Sequence, residues 1–337
     1  MALSTVNSNL VPTLWARELI TEILRDLWFK KFISSGKDNV VQISSELGKK
    51  AGESIRFGLR MKLTSDGVDG DGERAGHEEA LTVYDDECEI DQKWHGVTLK
   101  GRMEEQKAAY NLRSEAKAGL KDWWTELIDD YMIRFLSGDT SLTFANTGTA
   151  PDAGHITFAG GLAKGSITAS DTFDVECIKR AKQLAKVPAD GTPKVPPLMI
   201  NGKPHFIMIL HPYQADDLKS DSEWLQSQRT SNVRGEKNPV FSGALGMYDG
   251  VIIHEHESCL TFSDYGSGAI PAARSILCGK QAALFGKQKE VPRWHEETID
   301  RGNKFHVGAD MIFGIKKAVF NSKDFAVIAC DTAATTM

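Results

Sequence analysis

IRFGLRMKL, residues 55 to 63, alternates without a break: Ile55, Phe57, Leu59, Met61 and Leu63 take one side, and Arg56, Gly58, Arg60 and Lys62 the other. Period two marks a half-buried strand, because successive side chains point to opposite faces. A glycine- and acid-rich stretch follows, TSDGVDGDGERAGHEE (64 to 79), and alternation then resumes in ALTVYDDECEID (80 to 91). There Asp85, Glu87, Glu89 and Asp91 share one face, and Tyr84, Cys88 and Ile90 the other. One polar face is basic and the other acidic. Paired antiparallel, they set opposite charges across the ladder, each pair adding a few tenths to ~1 kcal/mol. The two runs therefore predict a long hairpin with a large tip; the plainer alternative is two separate strands with solvated faces.

Two helices flank this hairpin. Upstream, Thr13 is placed to cap LWARELITEILRDLWFKKFI (14 to 33), where Trp15, Leu19, Ile23 and Leu27 recur every four residues. Such a helix packs either on its own domain or on a neighbouring chain, and periodicity does not separate the two. Downstream, Leu112, Ala116, Leu120, Trp123, Leu127 and Tyr131 are spaced by three and four. They predict one helix from Met103 to Leu136, about 50 Å long at ~1.5 Å per residue. Leu120, Trp123 and Leu127 are assigned to its core face, and Trp124, on the adjacent face, to a contact with another chain. Gly119 predicts a bend and Gly138 a C-terminal cap.

Beyond it, the Gly-, Thr- and Ala-rich stretch from Ser137 to Ser170 reads as irregular connection or short strands. A helix at 172 to 187, the proline-rich loop VPADGTPKVPPLMINGKP, the strand HFIMIL, the helix YQADDLKSDSEWLQSQ and the strand YDGVIIHEH suggest an α/β unit from Thr172 to Gly268. RSILCGKQAALF (274 to 285) reads as a small helix. Strands are expected near VPRWHEET, ADMIFGIKKAVF and DFAVIACD.

Composition narrows the function classes. The formal net charge is −6 and neither end carries a basic arm, so the footprint of a protein that neutralises many phosphates is missing. The opening MALSTVNSNLVP lacks the features of a secretory leader, and no apolar run approaches a membrane span, so the chain is expected to stay in the cytoplasm where it is made. Five scattered cysteines without a CxxC predict buried reduced thiols rather than a disulfide framework or thiolate metal site.

Candidate chemistry is sparse. His254 and His256 share a strand face, a partial zinc or iron arrangement, yet a third ligand at a defined spacing is missing. DGVDGDGE resembles a calcium loop, but Arg74 stands where glycine is required after Asp69 and Asp71. GKQAALFGKQ has phosphate-loop glycines too far apart and Gln288 in place of a magnesium-binding hydroxyl. The carboxylate pairs Asp85-Asp86 and Asp129-Asp130 are read as exposed, with no neighbouring base. No catalytic residue, cofactor or metal site is expected.

The runs GESIRFGLRMKLTSDGVDGDGERAGHEEALTVYDDECEIDQ and GRMEEQKAAYNLRSEAKAGLKDWWTELID, with SILCGKQAALFG, DRGNKFHVGADMIFGIKKAVFN and DFAVIACDTAA, resemble the N4-like family of tailed-phage major capsid proteins. The resemblance covers about Ala51 to Ala334. It implies an α+β fold of the Hong Kong 97 type, shared by tailed phages and herpesvirus shell floors. The implied parts are an N-terminal arm (1–50), an extended β-hairpin loop (51–100), a peripheral domain with a long spine helix (101–171), an axial domain (172–268) and a return to the peripheral domain (269–337). A hairpin this long is marginal alone in water, so a surface supplied by a neighbouring subunit suits it.

The implied function is a virion subunit that assembles with itself into hexamers and pentamers of an icosahedral shell. It would enclose double-stranded DNA without reading sequence, touch neighbouring capsomers, and admit scaffold, portal and decoration proteins as partners. Arg56, Arg60, Lys62, Asp85, Glu87 and Glu89 are the candidate assembly residues of the extended loop. The alternative from the same architecture is an encapsulin-like compartment shell with protein cargo. The alternative from another class is a metalloenzyme using His254 and His256.

Overall fold

Fourteen residues of extended chain, Lys304–Lys317, form the central strand around which one half of the molecule is built. It pairs antiparallel with Asp91–Thr98, Arg293–Ile299 and Ala283–Lys287, and the last of these continues through parallel pairing to Val41–Ser44 and Ile33–Ser34. Val307, Ala309, Phe313 and Ile315 are buried along it, period two, against the long helix Leu112–Ser137. The computed structural model describes residues 18–19, 21–34, 36, 38–44, 54–60, 68–69, 78–81, 83–107, 112–161, 163–188, 192–200, 202–230, 245–288 and 293–334.

The long helix buries Ala116, Leu120, Trp124, Ile128, Met132 and Phe135. This corrects the predicted core face by one residue. Leu120 is core, but Trp124 is 1% exposed, whereas Trp123 and Leu127 are only half-buried at its margin. Trp123 stacks on His95 of the adjoining strand, ring centroids 4.2 Å apart. The described helical spans are Arg102–Lys107 and Leu112–Ser137, and the join expected between them lies outside the described residues. Gly119 sits on the exposed face of an unbroken helix. Gly138 ends that helix at φ +75°, with its amide and that of Asp139 bonded back to Phe135 and Arg134 carbonyls. A Cβ there would also meet the Thr149 carbonyl oxygen at 2.7 Å, so glycine is required twice over.

The N-terminal helix packs on its own subunit. Leu19, Ile23 and Leu27 are buried, while Glu18 and Asp26 pair with Lys117 and Lys121 of the long helix at 2.7 and 2.6 Å. Trp15 and Thr13 lie outside the described residues. At its end Asp129 accepts the amides of Trp28 (2.8 Å) and Phe29 (3.3 Å), fixing the turn Trp28–Phe32. Asp129 is therefore buried, not exposed as its sequence suggested, because its donors come from a segment a hundred residues away.

The other half is a sheet in the order Gly246–Tyr248, Val251–Glu255, Lys203–Leu210, Ile270–Cys278, Val327–Ala333, Ile156–Phe158. Lys203–Leu210 runs parallel to Val251–Glu255 and antiparallel to Ile270–Cys278. Helix Val175–Lys186, capped by Asp174 on the Cys177 amide, and helix Pro212–Ser220, opened by a His211/Gln214 capping box, cover it. One apolar core runs through both halves.

RSILCGKQAALF is not a helix. Arg274 to Cys278 finish one strand, Gln281 turns the chain at φ +58°, and Ala283–Lys287 begins another. Every residue from Ala272 to Cys278 is buried, Arg274 by pairing with Asp331, so neither strand face is wet and the alternation that betrays a strand is lost. The sheets also cross the expected segment boundaries. Asp91–Thr98 belongs to the central-strand sheet rather than to the hairpin, and Ile270–Cys278 and Val327–Ala333 join the sheet of the 172–268 unit.

Candidate assembly surface

Ser54–Arg60 pairs antiparallel with Val83–Glu89, with Ile55 opposite Cys88, Arg56 opposite Glu87, Phe57 opposite Asp86 and Gly58 opposite Asp85. The predicted alternation sorts the two faces. Ile55, Phe57 and Cys88 are buried against Leu284, Ala318 and Phe320 of the same chain, and burial pushes the Cys88 thiol up to about 11. The opposite face is open and charged.

On that open face Arg56 reaches Glu87 at 3.5 Å and Asp85 at 3.9 Å, and the Ser54 hydroxyl donates to Glu87. Arg56 and Asp85 are about two-thirds solvent-exposed, so the pairs align the strands more than they stabilise the fold. Glu89 lies opposite Ser54. Arg60 lies opposite Val83, but its side chain, like all of Lys62, is outside the described residues. Of the acid-rich tip, only Val68, Asp69 and residues 78–81 are described. Leu81 and Val83, both 59% exposed, put apolar surface beside the acids.

Three features that anchor this hairpin were not read from sequence. Asp86, turned inward at 7% exposure, receives Lys316 Nζ at 2.6 Å and the Val319 amide at 2.9 Å. Its position in the alternation, between Tyr84 and Cys88, was the available signal: an acid on an apolar face. Asn146, next to Ala145 at φ +54°, donates to the Glu89 carbonyl and accepts its amide, at 2.8 and 3.0 Å. Gly314 and Gly286 let the root approach, since a Cβ on Gly314 would stand 1.9 Å from the Glu89 carbonyl oxygen and one on Gly286 2.9 Å from Ile55.

The remaining chemical candidates are spent on packing. His254 and His256 set their rings edge-on to Trp28 at 5.7 and 5.0 Å, His254 also to Phe32, and so cover the N-terminal turn. GKQAALFGKQ is turn and strand, with no helix start to cradle a phosphate. The five cysteines are buried and free. Among the described residues no helix is long and apolar enough to cross a membrane.

The profile of the phage capsid protein family matches residues 4–336. The chain belongs to the phage capsid protein family. It is similar to the major capsid protein of Pseudomonas phage KPP25, 25% identical over 372 residues that cover 97% of this chain and 96% of the relative. Among solved structures, the capsid of Ralstonia phage GP4 is similar at 33% identity and TM-score 0.83, with 92% of each chain covered. The capsid asymmetric unit of Cyanophage Pam1 follows at 25% identity and TM-score 0.77, covering 93% of this chain and 94% of that one. The fold of this family member is thus the α+β fold of tailed-phage capsids, and its role is that of a structural capsid subunit.

Proposed function

We propose that the chain is the shell-forming subunit of a tailed double-stranded DNA phage of the N4-like, Hong Kong 97-type group, assembling in the host cytoplasm into hexamers and pentamers. In this reading residues 54–89 are the extended loop and Leu112–Ser137 the spine helix. The sheet around Lys203–Leu210 is the axial domain. The observation that carries it is the division of the hairpin: its root is built into the subunit's own core, while Arg56, Val83, Asp85 and Glu87 face outward, uncovered by any of the described residues. A neighbouring subunit that meets this face has both apolar and charged groups to engage, and mixed charge of this kind selects register as well as partner.

The net charge of −6 suits a wall that does not hold the DNA pumped against it. The chain acts by assembly and not by catalysis, a reading that its membership of a structural capsid family supports. Encapsulin-like cargo storage gains no support, since the named relatives are phage proteins. Electron microscopy of the protein expressed alone tests the reading: shells, tubes or capsomers are expected, and a monodisperse monomer at high concentration would count against it.

A further inference from the structure

We propose that Asp152, His155 and Asp324 form a binding site for one divalent transition-metal ion, zinc by the chemistry of the donors. Asp152 and His155 lie in the loop between the long helix and the strand Ile156–Phe158; Asp324 lies at the far end of the small hairpin that leaves the central strand. The two backbones are pinned together reciprocally: the Asp152 amide donates to Asp324 Oδ2 at 3.1 Å, and the Asp324 amide to Asp152 Oδ2 at 2.7 Å. That exchange holds the carboxylates face to face, and one donor atom from each of the three residues falls within 4.8 Å of the others. Ligands at ~2.0–2.2 Å from a common zinc stand roughly 3 to 3.5 Å apart, so the donors must draw together by up to about 1.5 Å to close the set.

His155 is the observation that points to a ligand. It is 1% exposed, and neither ring nitrogen has a hydrogen-bond partner. Nδ1 aims at Asp152 Oδ2 from 3.6 Å, and the ring faces the Pro193 carbonyl. Buried imidazoles normally bond through both nitrogens or one, and an orphan is the exception. An ion between His155 and Asp152 satisfies one nitrogen and leaves the other to a backbone carbonyl, the usual second contact of a metal-bound histidine.

Lys317 sets the charge balance. Its Nζ lies 2.7 Å from Asp324 Oδ1 and 3.3 Å from the Ala150 carbonyl, so it neutralises one carboxylate and leaves the cluster with a net charge of −1. Asp152, His155 and Asp324 supply three donors, and a water entering beside Asp152 completes a four-coordinate ion. Asp152, a quarter exposed, is the way in. The ion would clamp the segment following the long helix to the corner before the last strand, and so tie the two sheets of the subunit.

The test uses the full chain, stripped with a chelator, incubated with zinc chloride and gel-filtered before elemental analysis. About one zinc per chain is expected, with His155→Asn reducing affinity by at least ~10-fold and His254→Asn leaving it unchanged. Retention of no zinc by the wild type overturns the site, and so does equal retention by His155→Asn. Should His155→Asn fail to fold, the wild type loaded with cobalt(II) decides: intense visible bands of a four-coordinate nitrogen–oxygen site support it, and the weak spectrum of the hydrated ion overturns it.

Discussion

Lys316 Nζ lies 2.6 Å from Oδ1 of Asp86, and this contact joins the hairpin root to the end of the central strand. Asp86 also holds the Val319 amide, so its carboxylate serves both the strand and the corner that follows it. Replacing Asp86 by alanine leaves a poorly solvated ammonium and an unpaired amide. The expected cost is about 2 to 4 kcal/mol, below that of a wholly buried pair because Lys316 keeps some access to water. Denaturant unfolding measures it, and hydrogen exchange should show residues 54–60 and 83–89 losing protection first.

Gly314→Ala addresses the same root through sterics. The new Cβ would stand 1.9 Å from the Glu89 carbonyl oxygen, and backbone on both sides prevents a cheap escape. We expect a loss of about 1 to 3 kcal/mol, as for overpacking, together with fewer regular particles. Gly119→Ala, on an exposed helix face with nothing within 4 Å, is the control and should stabilise the chain by up to ~1 kcal/mol.

The long helix shows how far the sequence could be read. Its existence, its C-terminal glycine and its core residues Ala116, Leu120 and Tyr131 followed from spacing alone. Between Leu120 and Tyr131 both a three-residue and a four-residue step land on a tryptophan, and only packing against Phe313 selects Trp124. Trp124→Ala should therefore cost about 3 to 5 kcal/mol, and Trp123→Ala only about 1 to 2 because its ring already meets water. Comparable losses in thermal unfolding for the two variants would show that the face has been wrongly assigned.

The hairpin was legible for the same reason that RSILCGKQAALF was not. Ser54–Arg60 and Val83–Glu89 have one wet face, so polar and apolar residues alternate; Ala272 to Cys278 have none, and a fully buried strand carries no period. The anchors Asp86, Asn146 and Gly314 gain their meaning only from residues at least 50 positions away, which a local pattern cannot contain.

Asp129 gives the subunit a pH dependence with a definite sign. Burial raises its carboxyl from 3.8 to about 6, against the pull of the Trp28 and Phe29 amides. The folded state then binds the proton more tightly than the unfolded chain does, so this group's contribution is full below about pH 4 and is lost as pH rises through about 6. A shift of this size corresponds to at most about 3 kcal/mol. Compared with Asp129→Asn, which cannot titrate, the wild type should gain stability on going from pH 7 to pH 5. A constant difference between the two proteins across that range would refute it.

Assembly through the outward face of the hairpin is the central claim, and Arg56→Glu tests it most directly. The substitution sets like charges beside Asp85 and Glu87 on an exposed surface, a cost of about 1 kcal/mol or less to the subunit itself. Negative-stain electron microscopy of the variant beside the wild type, with circular dichroism to monitor the fold, is the decisive measurement. The account predicts a folded subunit whose shells are absent or misshapen. Regular closed particles of wild-type diameter from Arg56→Glu would contradict it.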